Sequence, residues 1–275
     1  MKKTMVFIRL LASEALVFVR RPLTAVCLLV AALSGSLAVA ATTMSRGTAY
    51  GPPVALAFAA LVGGLAGLVL AAVIGAALGG DDYDLQTQQE LHLAGLPRVS
   101  LFLARIVLAA VSVVTVPLVA VAGGACTLVG VLIAGHPVAP ETSTLTAAFQ
   151  VRLVAVALMS TSFSGLAAFA LAAYARSRVV GLIIWLGVLM ASLYLAHPVG
   201  FSSPLRAIFK ILPCGPLFAA ALGEGNYLTG GLEMTTWQFV ASYSAWTVFF
   251  VAAAAWAWLY RGLRHSRSGV RRRVR

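Results

Sequence analysis

Six apolar blocks, each close to or above the length needed to cross a bilayer, decide most of what this chain can become. They cover residues 22–42, 53–78, 100–134, 149–175, 179–196 and 237–260. About 20 apolar residues in a helix cross the roughly 30 Å of hydrocarbon in a bilayer. Only 10% of the residues are charged, against about 25% in soluble domains, while 61% are hydrophobic and the mean hydropathy is +0.96. The expectation is an all-α membrane protein of six transmembrane helices, forming one transmembrane domain over residues 1–275. A β-barrel would alternate apolar and polar residues along each strand, and runs such as Leu65 to Leu78 do not. The third block exceeds one crossing and contains Pro117, which predicts a tilted, kinked or partly interfacial helix. Cys27, Cys126 and Cys214 are scattered, with neither a disulfide framework nor a metal motif.

Orientation follows from the basic residues. With six spans both termini share one side, together with Lys2, Lys3, Arg9, Arg20, Arg21, Arg98, Arg105, Arg176, Arg178 and seven arginines from Arg261 to Arg275. The other side holds Arg46, Arg152, Arg206 and Lys210. Basic residues accumulate on the cytoplasmic side, so both termini are expected in the cytoplasm of a multi-pass protein in the cell (inner) membrane. The basic tail 261–275 then fixes topology and meets anionic lipid, and the +12 net charge calls for no nucleic acid.

Residues 1–21 read as an N-terminal amphipathic helix. On a helical wheel Met5, Phe7, Ile8, Leu11, Ala15, Leu16, Phe18 and Val19 gather on one face, and Lys2, Lys3, Arg9, Ser13, Arg20 and Arg21 on the other, with Val6, Leu10 and Val17 as exceptions. Such a helix lies in the membrane interface, and Pro22 suits the first turn of the next helix. The alternative is a cleaved secretory signal ending at Ala38-Val39-Ala40. The amphipathic lead is long for that purpose, so the first span is expected to stay.

Small residues recur at every fourth position of the second span: Gly63, Gly67, Ala71, Gly75 and Gly79. They make a helix-packing stripe where another helix approaches closely, either inside the bundle or at a subunit interface. The outer connection from His197 to Trp237 is unusually apolar and is broken by Pro204, Pro213, Gly215 and Pro216. It is expected to be a re-entrant segment between spans five and six, its backbone covered by protein.

Several chemistries drop out. No Gly-x-x-x-x-Gly-Lys-[Ser/Thr] phosphate loop exists, and the lysines are Lys2, Lys3 and Lys210 alone. No acid is placed inside a predicted span to bind a driving ion, and Arg105 and Arg152 are expected to snorkel to the span ends. Ser162-Phe163-Ser164-Gly165 with His197 offers a serine–histidine pair, but serines in membrane helices commonly bond backbone or a neighbouring helix. The histidines are too dispersed for a metal site. The chain is expected to be neither an enzyme nor a holder of a cofactor.

What remains is the polar stretch Asp81–Arg98, which carries Asp81, Asp82, Asp84 and Glu90, four of the eight acidic residues. An aspartate could cap a short helix at its N-terminus, Gly95 could end it, and Pro97 opposes continuation. One short cytoplasmic helix between spans two and three is expected. By itself it is either a solvated connector or a handle for another protein.

Together the amphipathic lead, six spans, short cytoplasmic helix and re-entrant outer segment resemble a type-2 ABC exporter permease. The most specific match is Leu93-Ala94-Gly95-Leu96-Pro97-Arg98-Val99-Ser100, followed by Arg105 where the family often has lysine. The Glu-x-x-x-Gly-Thr lead common in the family is replaced by Asp82-Tyr83-Asp84-Leu85-Gln86-Thr87. The resemblance implies a pair of permeases, identical or related, each docked on a separate cytoplasmic ATPase that binds ATP and magnesium. It implies that the loop is a coupling helix, with Asp82, Asp84, Gln88, Glu90, Leu91, Leu93 and Arg98 at the ATPase. An amphipathic or lipophilic cargo, such as an antimicrobial peptide, drug or lipid, fits weakly polar spans, and antibiotic resistance is one role of such exporters. A non-transporting scaffold, or an ion-coupled carrier or channel, are the competing classes.

Overall fold

The computed structural model describes residues 2–46, 51–84, 98–137, 147–196 and 236–259, and within them every regular element is an α-helix. These are α1 (Lys2–Arg20), α2 (Pro22–Arg46), α3 (Pro52–Asp84), α4 (Arg98–Ile133), α5 (Ala147–Ala175), α6 (Arg178–Ala196) and α7 (Thr236–Leu259). Five contain stretches long and apolar enough to cross a membrane: Pro22–Met44, Pro52–Asp81, Val99–Ile133, Ala157–Ala175 and Val240–Leu259. The chain thus has the make-up of a multi-pass membrane protein. In α6 the apolar stretch is the shorter Arg178–Ser192. The outer connection and the basic tail lie outside the described residues.

The junction of α1 and α2 shows how local chemistry sets the helix ends. Proline has no N–H, so Pro22 cannot bond the Phe18 carbonyl. The Thr24 hydroxyl donates to that carbonyl instead, at 2.9 Å. The carbonyl of Arg21 accepts from the N–H groups of Thr24 and Ala25 and starts α2. At its far end α4 closes on Gly135, whose φ of 79° is the left-handed conformation that glycine adopts without steric cost. The His136 N–H then bonds the Val131 carbonyl.

Two spans are longer than a crossing needs. α3 has 33 residues and α4 has 36, roughly 50 Å and 54 Å at 1.5 Å per residue. Pro117 sits inside α4 without ending it. The second span was expected to stop near residue 78, but α3 continues to Asp84. Asp81, Asp82 and Asp84 therefore close a helix rather than cap the start of one. Nothing in Gly79-Gly80 forces a break, because both glycines lie against neighbouring backbone. A Cβ on Gly79 would stand 2.3 Å from the Phe169 carbonyl oxygen.

α3 lies at the centre of the bundle, with its most extensive contact on α5 and further contacts on α2, α4 and α6. The small-residue stripe makes the α3–α5 approach. A Cβ at Gly75 would lie 2.0 Å from the Gly165 carbonyl oxygen, and one at Gly67 would lie 2.5 Å from the Thr161 methyl carbon. Ala71 is fully buried. Gly63, one turn further toward the start of α3, meets Ala120 of α4 instead. The stripe is thus occupied by helices of the same chain. α2 and α4 meet in the same way, with Gly35 against the Ala120 carbonyl and Gly123 against the Ala32 carbonyl.

Gly75→Leu should lower bundle stability by about 3 kcal/mol or more, because backbone would have to move. Gly187→Ala has nothing within 4 Å to displace and should be neutral or stabilising by up to about 1 kcal/mol. Thermal unfolding of the purified chain in detergent measures both.

Candidate functional site

The last turn of α3 carries an electrostatic problem. Helix C-termini bear partial negative charge, and a carboxylate withdrawn from water is costly unless paired. Asp81 is such a carboxylate, with its side chain 9% exposed. Two arginines from other parts of the chain answer it. Arg21, at the α1–α2 junction, donates Nη1–H to Asp81 Oδ2. Arg178, the first residue of α6, places Nη1 3.4 Å from Asp81 Oδ1. One carboxylate therefore joins the end of α3 to the start of α2 and the start of α6.

The α5–α6 turn that delivers Arg178 is tight. Arg176 adopts φ 56°, a left-handed conformation unusual for a residue other than glycine. The Ser177 N–H bonds the Ala172 carbonyl and closes α5. Gly80 admits this turn: a Cβ there would lie 2.4 Å from the Arg178 nitrogen.

A second charged group sits one turn back along α3. Arg105 of α4 is buried, at 4% exposure. Its Nη1 donates to the Leu78 carbonyl at 3.3 Å, and its guanidinium carbon lies 5.5 Å from the ring centre of Trp258 on α7. Nε lies 3.5 Å from Glu14 Oε2 of α1, close enough for ionic attraction but not aligned as a hydrogen bond. Arg105 was expected to snorkel outward. It turns inward because a carboxylate, a carbonyl and an aromatic face meet it there.

Deeper in the bundle a polar chain links three helices. The indole N–H of Trp185 on α6 donates to Ser164 Oγ at 2.7 Å, and Ser164 on α5 donates to the Leu68 carbonyl on α3 at 2.5 Å. Neither partner is a base that could take a proton from the serine. Ser162 bonds the carbonyl of Leu158 in its own helix. The Ser164 hydroxyl is a cross-helix tie, and His197 lies outside the described residues. Phe163, Trp185, Tyr243 and Phe250 pack around the tie with ring centres 5.6–6.0 Å apart.

Of the residues expected at a partner ATPase, Asp82 and Asp84 are in the last turn of α3, and Arg98 opens α4. Gln88, Glu90, Leu91 and Leu93 lie outside the described residues. The stripe from Gly63 to Gly79 leads along α3 into the charged end. Missed from the sequence were the partners: Glu14 and Arg21 with their counterparts Arg105 and Asp81. The available signal was Glu14 itself, the sole acid of α1, placed among residues that belong to its apolar face. Among the described residues no group of His, Cys, Asp and Glu side chains is arranged to hold a metal ion.

The chain matches no protein-family model and no curated protein.

Asp81→Asn and Arg21→Gln should each cost about 1–2 kcal/mol, less than a fully buried pair because Arg21 is one-quarter exposed. The double variant should cost less than the two combined, since both remove one interaction. A double-mutant cycle on thermal unfolding reads this directly.

Proposed function

We propose that the chain is the permease subunit of an ATP-driven ABC exporter, taking its energy from a separate ATPase. The observation that carries this reading is the Asp81 junction at the mouth of the polar segment. The segment 85–97 joins Asp84 to Arg98. Where it leaves α3, Asp81 ties that helix to the α1–α2 junction and to α6. Where it enters α4, Arg105 ties that helix to α1, α3 and α7. A load on the segment is delivered to both of these linked groups, as a coupling helix requires.

Three further features support the proposal. The sequence carries four of its eight acids between Asp81 and Glu90, with basic residues on the flanking elements. It has no phosphate loop of its own, so ATP and magnesium would be held by the partner. The bias of basic residues supports a cytoplasmic segment in a six-span chain, with α2 to α7 as the spans, in the cell membrane. The permease would act with a second copy or a related permease, and the weak polarity of the spans favours an amphipathic or lipophilic cargo.

The full chain, affinity-tagged and purified from the membranes of its own cell in mild detergent, should carry magnesium-dependent ATP hydrolysis. Combining Leu91→Asp with Leu93→Asp should reduce that activity at least tenfold while leaving the membrane yield unchanged. Hydrolysis absent from the native preparation, or equal in both, contradicts the proposal.

A further inference from the structure

The face of α1 that reads as one apolar surface in sequence is split in two by the fold. Phe18 is buried in the bundle with Phe7, Leu11 and Ala15 packed beside it, and Leu10, which lies outside that face in sequence, is buried as well. Ile8, Leu16 and Val19, on the next sector of the same helix, are 59%, 59% and 70% exposed. The sector beyond carries Arg9, Ser13 and Arg20, all exposed, together with the exposed Val17. In order around the helix come protein, an uncovered apolar strip and an arginine edge. Such a helix meets all three requirements only at the boundary of hydrocarbon and water.

The charges make the boundary selective. Glu14, the only acid in α1, is turned toward the bundle and neutralised by Arg105. Within α1 the outer edge therefore shows arginine with no carboxylate of the same helix beside it. We infer that α1 is a binding edge for anionic phospholipid: Ile8, Leu16 and Val19 enter the acyl layer while Arg9 and Arg20 hold the phosphate headgroups. Eleven residues separate the two arginines, three helical turns or roughly 16 Å, so they address separate lipids along one edge. On α2, the next helix, Leu23, Val26 and Leu33 are also exposed apolar side chains. This inference rests on α1 lying in the interface and is independent of whether the bundle transports anything.

Two measurements on the full chain test it. Native mass spectrometry of the chain from micelles with equal phosphatidylglycerol and phosphatidylcholine should show preferential retention of phosphatidylglycerol. Arg9→Gln with Arg20→Gln should lower that preference on the order of 25-fold, about five-fold per arginine. Arg271→Gln with Arg272→Gln, in a tail that keeps five further arginines, should lower it less. An unchanged preference in the first variant overturns the headgroup assignment.

For the second, a spin label is placed at Ile8→Cys, Leu16→Cys or Ser13→Cys, with Cys27, Cys126 and Cys214 replaced by alanine, in bilayers. Labels at positions 8 and 16 should be reached by oxygen, and the label at 13 by a water-soluble nickel complex. Labels at 8 and 16 that neither reagent reaches would mean that protein covers the strip, and labels reached only by nickel would place it in water. Either result overturns the lipid assignment. Both measurements read the same whether or not ATP hydrolysis co-purifies.

Discussion

Helices in hydrocarbon gain nothing by hiding leucine from lipid, so close backbone approach has to supply the packing energy. In this chain α3 supplies it. Its small residues let it lie directly on α5, with Gly75 and Gly79 meeting the carbonyl groups of Gly165 and Phe169. A methyl group at either position would push the two helices apart. Several ties across the bundle depend on that contact. The Ser164 tie to Leu68 forms because α5 and α3 are this close, and Trp185 reaches Ser164 because α6 follows α5 through a tight turn. Gly80 then lets that turn settle on the end of α3, where Arg178 meets Asp81.

The charged end is the consequence that bears on function. Buried ion pairs contribute little net stability compared with apolar packing, since desolvation opposes the attraction. Their value here lies in connectivity. Asp81 and Arg105 sit on the two helices that the polar segment joins, and between them they contact α1, α2, α6 and α7 or the junctions beside them. The same pairs hold α1 against the bundle at Glu14 and Arg21. The two helices that flank the polar segment are therefore each tied by an ion pair to α1 or to its junction with α2.

Much of this architecture was legible in the sequence, because length and hydropathy alone specify membrane helices. The amphipathic α1 and the fourth-residue stripe on α3 were legible for the same reason: helical periodicity is a local property. The end of α3 was not. Gly79-Gly80 followed by aspartates reads as a loop until Arg178 and Arg21, both distant in sequence, are seen to neutralise Asp81. Arg105 read as a snorkelling residue because Glu14 and Trp258 lie on other helices. Ser164 read as a possible nucleophile because its true partners, Leu68 and Trp185, are set by packing. The split of α1 into protein and lipid sectors needed the bundle itself. Each miss concerns a pairing across helices, which hydrophobic periodicity does not encode.

The central proposal is that a partner ATPase pushes on the segment between Asp84 and Arg98. The most direct measurement is a photoreactive residue in place of Gln88 in the full chain, irradiated in its own cells, with the adduct sequenced. The account predicts one dominant adduct to a protein that carries a Gly-x-x-x-x-Gly-Lys-[Ser/Thr] phosphate loop, strengthened when ATP turnover is blocked with vanadate. Adducts to lipid alone, or to a protein with no nucleotide site, would contradict it.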